Sequence, residues 1–185
     1  MRKIFTLALA IIIFAIVHEG LHALAASFYG EYEAFHIRPY GLEVTVKTPA
    51  GERQGLQWAI ISGLPNGVTI LAGYLLFAGR RYFASQSLLI LRNLGYWCTL
   101  LFMLCDPFNL SIVPLIFGGD VNGISVGLGL PVIIIQVFGL ALLLANREIV
   151  AQFLLPAFGI VTDHPFFKPF IRLHRSSLRP QEPGV

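Results

Sequence analysis

Four apolar runs separated by shorter polar stretches organise this chain of 185 residues. They cover roughly residues 4–29, 56–78, 88–105 and 124–145. Each approaches or exceeds the about 20 apolar residues that carry a helix across a bilayer core. Between the first two runs the period changes. Leu42, Val44 and Val46 alternate with Glu43, Thr45 and Lys47, which is the two-residue period of a strand. With a turn at Pro39 to Gly41, this predicts a short β-hairpin within residues 31–53, at or in the membrane interface. The second run is interrupted early by Gly63-Leu64-Pro65-Asn66-Gly67, and an irregular stretch from Asp106 to Gly123 divides the third from the fourth. Residues 149–161 are too few to span and contain Pro156, so they predict a short interfacial or re-entrant helix.

The expected fold is therefore an α-helical integral membrane protein with about four transmembrane helices. Residues 1–161 form one membrane-embedded domain, and residues 162–185 form a flexible basic tail. Arg2 and Lys3 ahead of an apolar run resemble the start of a signal peptide. The run is longer than a typical signal core and contains His18, Glu19 and His22, which favours a retained helix.

Composition strengthens the membrane reading. Hydrophobic residues make up 56% and charged residues 12%, against about 25% charged in soluble domains. Mean hydropathy is +0.73. The formal net charge of +3 comes mostly from basic residues flanking apolar runs, which suits a membrane surface better than nucleic acid. No P-loop or dinucleotide fingerprint is present. With four spans, Arg2, Lys3, Arg80, Arg81, Arg147 and the tail share one side, and Arg38, Lys47 and Arg53 the other. The first side is the more basic, so both termini are expected in the cytoplasm, at the plasma membrane of a prokaryote. Cys98 and Cys105 lie seven residues apart, about 10 Å along a helix. That is too far for a disulfide, and both read as small apolar side chains. Arg92 and Asn93 inside the third run either mark a later helix start or face the bundle.

The chemistry concentrates in His18-Glu19-Gly20-Leu21-His22. Two histidines four apart share a helix face, with Cβ atoms about 5–6 Å apart, and their imidazoles can reach one Zn²⁺ at about 2.0–2.1 Å each. Glu19 borders the same face and can take a proton from a water polarised by the metal. In a soluble protein the pattern would be weak. A Glu in mid-membrane costs about 2.5–3.5 kcal/mol, so this helix needs a partner, and a metal supplies one. A catalytic site needs a third protein ligand. The candidates are Asp106, Asp120, His36 and Asn109. Asp120 follows two glycines that permit non-helical backbone, and it can alternatively cap a helix starting near residue 123. Asp106 precedes Pro107 and reads as a helix-end or turn residue. His36, His164 and His174 read as surface histidines.

Here the chain resembles the site-2 protease family of intramembrane zinc metalloproteases, in a compact form without a PDZ domain. His18-Glu19-Gly20-Leu21-His22 is similar to the family's HExxH helix. Ser62-Gly63-Leu64-Pro65-Asn66 resembles its Gly-Pro-x-x-Asn element, although Pro65 and Asn66 are adjacent here. Asn109, Pro114 and Asp120 resemble its Asn-x-x-Pro…Asp-Gly element, although Val121-Asn122 separates Asp120 from Gly123. The resemblance covers roughly residues 10–130. It implies one Zn²⁺ per chain on His18, His22 and Asp120, with Glu19 as general base. It implies that Asn66 and Asn109 hold a substrate strand or the developing oxyanion. The implied reaction is hydrolysis of a peptide bond in or near a transmembrane segment of another protein.

Two rivals belong to other classes. A non-catalytic scaffold would keep zinc for structure and close the site with a fourth ligand such as His36. A transporter with a midplane ion site would show symmetry between its halves.

Overall fold

The computed structural model describes residues 2–171 except Tyr40, and His174 falls with residues 172–185 outside the described residues. The chain runs through α1 (Arg2–Phe28), β1 (Tyr32–Arg38), β2 (Gly41–Val46), α2 (Gln57–Ala78), α3 (Arg80–Ala84), α4 (Leu89–Ser111), α5 (Asp120–Leu128) and α6 (Val132–Ile149). A π-helical turn at Val150–Leu154 then leads into α7 (Leu155–Ala157). Four helical stretches, Ile4–Phe28, Gln57–Ala78, Leu89–Leu115 and Val132–Ala157, are long and apolar enough to cross a membrane. Helices of this kind satisfy their backbone groups internally, as hydrocarbon requires. The outward side chains suit that setting, since Ile11, Ile12 and Ile16 of α1 and Ile133, Val137 and Phe138 of α6 are exposed.

β1 and β2 pair antiparallel, with Phe35 opposite Val44 and Arg38 opposite Gly41. The hairpin packs on the end of α1, where Ala25, Ala26, Trp58 and Ile61 form a small buried cluster with Tyr32 and Val46 against it. Lys47 donates to the Gly30 carbonyl at 2.8 Å, and Thr48 donates through its hydroxyl to Glu31 at 2.8 Å. These ties hold the hairpin over one end of α1.

α4 lies centrally, against α1, α2 and α6. Small residues permit the close approach that helix packing in lipid relies on. A Cβ on Gly73 of α2 would stand 2.8 Å from the Phe102 carbonyl carbon of α4. Two prolines lie inside these helices, Pro65 in α2 and Pro107 in α4.

Three boundaries differ from the expectation. Within residues 149–161, expected as a separate interfacial or re-entrant helix, the last candidate span, Val132–Ala157, instead continues through the π-helical turn. The third run, expected to end at 105, continues as helix through Asp106-Pro107 to Ser111. The fourth, expected as one span over 124–145, is divided between α5 and α6 at Gly129-Leu130-Pro131. Gly129 adopts a left-handed φ of 63°, and Pro131 fixes an extended backbone ahead of α6. The described part of the expected tail is packed on α6. The Arg147 guanidinium donates to the Phe166, Pro165 and Lys168 carbonyls, and Glu148 accepts from the Phe170 and Ile171 amides.

Candidate metal centre

The helical pitch of α1 places His18 and His22 one turn apart, with ring centroids 4.9 Å from each other. Each ring has an oxygen facing its Nδ1. His18 Nδ1 lies 3.0 Å from Asp106 Oδ1. His22 Nδ1 lies 2.8 Å from the Ile61 carbonyl oxygen, which assigns the donor proton to Nδ1, since a carbonyl only accepts. Both Nε2 atoms are thereby directed to one spot, 3.2 Å apart.

The acceptor for His22 has a local origin in the sequence. In a regular helix the Ile61 carbonyl would accept from the N–H of residue 65. Pro65 has no N–H, so α2 leaves that carbonyl without its helical donor. A backbone carbonyl freed away from water needs another partner, and His22 provides it.

Asp106 is 1% exposed, and a carboxylate so deeply buried needs partners. Its Oδ1 faces His18, and its Oδ2 accepts from the Thr69 hydroxyl of α2. Metal-bound histidines characteristically give their second ring N–H to a carboxylate or a carbonyl. His18 and His22 use one partner of each kind.

Asp120 closes the group. His18 Nε2 lies 3.3 Å from its Oδ2, and His22 Nε2 lies 3.1 Å from its Oδ1. Gly119 precedes it at φ 60°, ψ −158°, a region essentially restricted to glycine. That backbone turns the start of α5 so that Asp120, its first residue, faces α1. Asp120 caps no helix, because its oxygens face the two histidines and two asparagine amides. Asn66 Nδ2 donates to Oδ2 at 2.9 Å, and Asn109 Nδ2 donates to the same oxygen at 3.1 Å. Among the described residues, His18, His22 and Asp120 form the group of His, Cys, Asp and Glu side chains able to hold a metal ion.

Beside this group a cleft of about 600 Å³ opens, lined by Glu19, His22, Val44, Arg53, Asp120 and Asn122 among others. Glu19 Oε2 accepts from the Val44 amide of β2 at 3.2 Å, so the hairpin both walls the cleft and holds the carboxylate. Arg53 lies over the Trp58 ring at 4.6 Å and donates to the Thr48 carbonyl at 3.3 Å. Burial lowers its pKa, with Glu31 opposing that shift.

The structure thus brings together Glu19, His18, His22 and Asp120, and places Asn66 and Asn109 on the far side of Asp120. Neither asparagine lines the cleft. Their amides brace the carboxylate. His36 stands on the hairpin, with Nε2 3.4 Å from the Thr45 hydroxyl. Residues the motifs did not single out include Thr69, the Ile61 carbonyl and Asn122 at the cleft. Asp106, from the sequence a candidate third ligand or a helix end, stands inside α4 beside His18 Nδ1. The signal for Ile61 was Pro65, four residues on. Comparison with family models, curated proteins and solved structures finds no match to this chain.

Proposed function

We propose that this chain is an intramembrane zinc metalloprotease of the site-2 protease kind, hydrolysing a peptide bond in or near a transmembrane segment of a membrane protein. The observation that carries the proposal is the joint placement of two ring nitrogens, one carboxylate and, at the edge of an open cleft, Glu19 held by the Val44 amide. A set of two imidazoles and one carboxylate suits zinc and leaves a fourth position open. The fit is close. Tetrahedral bonds of about 2.0–2.1 Å place ligand atoms about 3.3 Å apart, against 3.2 Å between the two Nε2 atoms and 3.1 and 3.3 Å from them to Asp120. When bound, zinc polarises a carbonyl and lowers the pKa of water toward about 7.

The protein's own residues supply the rest. Glu19, adjacent to His18 in sequence and fixed by the Val44 amide, takes a proton at its carboxylate and returns it to the leaving amine. β2 borders the cleft with Leu42, Glu43, Val44 and Val46, and an extended substrate can lie along it as an added strand. The Asn122 side chain also lines the cleft and offers an amide donor for charge developing on the substrate carbonyl. The closed structural-zinc alternative loses its named fourth ligand, since His36 bonds within the hairpin.

The test uses purified full-length protein and a panel of fluorogenic single-span peptides in detergent. Glu19→Gln should lower cleavage on the order of 10²–10⁴-fold while zinc content stays at the wild-type level. Full cleavage by Glu19→Gln would overturn the assignment of the base.

A further inference from the structure

At the opposite end of the bundle from the metal group, a second cavity of about 340 Å³ lies between the first turns of α4 and the segment after α7. Its walls include Leu89, Arg92, Asn93, Tyr96, Trp97 and Ile160. The metal-site cleft is lined by three acidic side chains, Glu19, Glu43 and Asp120, whereas among the described residues no acidic side chain lines this cavity. Arg92 lies in the first turn of a membrane-crossing helix and donates one N–H, from Nη2, to the Phe158 carbonyl at 3.1 Å. A guanidinium has five such donors. No further partner of Arg92, and no hydrogen bond of the Asn93, Tyr96 or Trp97 side chains, occurs among the described residues.

Arg147, at the same end of the bundle, gives the contrast. It is 3% exposed, and the protein completes its guanidinium. Nε and Nη2 donate to the Phe166, Pro165 and Lys168 carbonyls and Nη1 donates to Glu148, while Phe170 covers the plane at 3.9 Å. Arg147 is a structural clamp. Among the described residues Arg92 makes one hydrogen bond, and its side chain lines the cavity.

The surroundings identify what would complete it. Tyr96 and Trp97 stack edge to face at 4.8 Å, an aromatic pair suited to the headgroup level. Leu89 of the cavity wall and its chain neighbours Leu88 and Ile90 are exposed and apolar. A ligand fitting both parts has an anionic oxygen group and a hydrocarbon body. The basic Arg80 and Arg81 of α3 precede this turn of chain, and basic pockets between helices on such a side bind anionic headgroups.

We propose that this cavity binds an anionic phospholipid, with its phosphate on Arg92 and Asn93, its glycerol region against Tyr96 and Trp97, and an acyl chain along Leu89 and Ile160. The site is separate from the metal group and stands whether or not the chain is a protease.

The test is native mass spectrometry of full-length protein in a non-ionic detergent, titrated with phosphatidylglycerol or with phosphatidylcholine of the same chains. Wild type should retain phosphatidylglycerol about fivefold better than phosphatidylcholine, and Arg92→Ala should remove that preference, as the contribution of one basic residue predicts. Asn93→Leu, which fills the cavity and keeps the charge, should also reduce retention, and decides the matter if Arg92→Ala does not fold. Arg81→Ala should leave retention within about twofold, since Arg81 lies outside the cavity. Inorganic phosphate at millimolar concentration should not displace the lipid. Equal retention of the two lipids, unchanged retention in both cavity variants, or displacement by phosphate alone would each overturn the proposal.

Discussion

Pro65 in α2 and Pro107 in α4 make the same change to a helix and serve different ends. Each removes an N–H and frees the carbonyl four residues earlier. At Pro65 the freed carbonyl is Ile61, and its new donor is His22 of α1. At Pro107 the freed carbonyl is Met103, which accepts from Asn146 Nδ2 of α6 at 2.6 Å. Asn146 in turn accepts from the Tyr74 hydroxyl of α2. One proline orients a metal-site imidazole, and the other joins three helices. In lipid, where unpaired backbone groups are costly, a proline creates a specific acceptor that a side chain on another helix must meet. The function of that acceptor is set by whichever side chain arrives.

The contrast can be broken by separating metal affinity from stability. The largest effect is expected at the other imidazole, whose partner Asp106 stands on α4 directly before Pro107. Asp106→Ala removes the acceptor for His18 Nδ1, and zinc affinity should fall toward the upper part of the about 10–100-fold range found for such partners. Asp106→Asn keeps the shape and loses the charge, so it should fall in the lower part. Competition titration with a chromogenic chelator reads both, and unchanged affinity in both variants would remove Asp106 from the site.

Pro65→Ala comes next. It restores the N–H of residue 65, which then competes with His22 Nδ1 for the Ile61 carbonyl and weakens the hold on that ring. Zinc affinity should drop about tenfold. The metal-free protein should melt no lower than wild type, because alanine is the better helix residue by up to about 3 kcal/mol. Loss of metal affinity without loss of stability is the signature of a positioning role. A parallel fall in both would make Pro65 a packing residue only.

The smallest effect on the metal belongs to the second proline. Asn146→Ala strands the Met103 carbonyl and the Tyr74 hydroxyl, costing about 1–3 kcal/mol of stability. Zinc affinity should stay within about twofold of wild type, as the two sites share no partner. A large loss of zinc in Asn146→Ala would show that the two proline turns are coupled.

Much of this arrangement can be read from the sequence, for identifiable reasons. The spacing of His18, Glu19 and His22 sets their common face through helical pitch alone, and Gly118-Gly119 signals the backbone freedom that turns Asp120 inward. The alternation from Leu42 to Lys47 anticipates the hairpin. Asp106 is misread because a residue before proline ordinarily ends a helix. Here α4 continues, since Asn146 takes up the freed carbonyl. The division of the fourth run at Gly129-Leu130-Pro131 is invisible to hydropathy, which counts apolar residues and not backbone angles. The two asparagines show a third limit. Their positions are legible, but whether an amide faces the cleft or the ligand depends on the approach of α2 and α4 to α5, and both face Asp120 Oδ2.

The central claim is that His18, His22 and Asp120 hold zinc for Glu19 to use. Metal analysis of the purified full-length protein and three variants tests it most directly. One zinc per chain is expected in the wild type and in Glu19→Gln, with zinc lost from His22→Ala and Asp120→Ala. Absence of metal from the wild type, or equal zinc in the wild type and His22→Ala, would contradict the account.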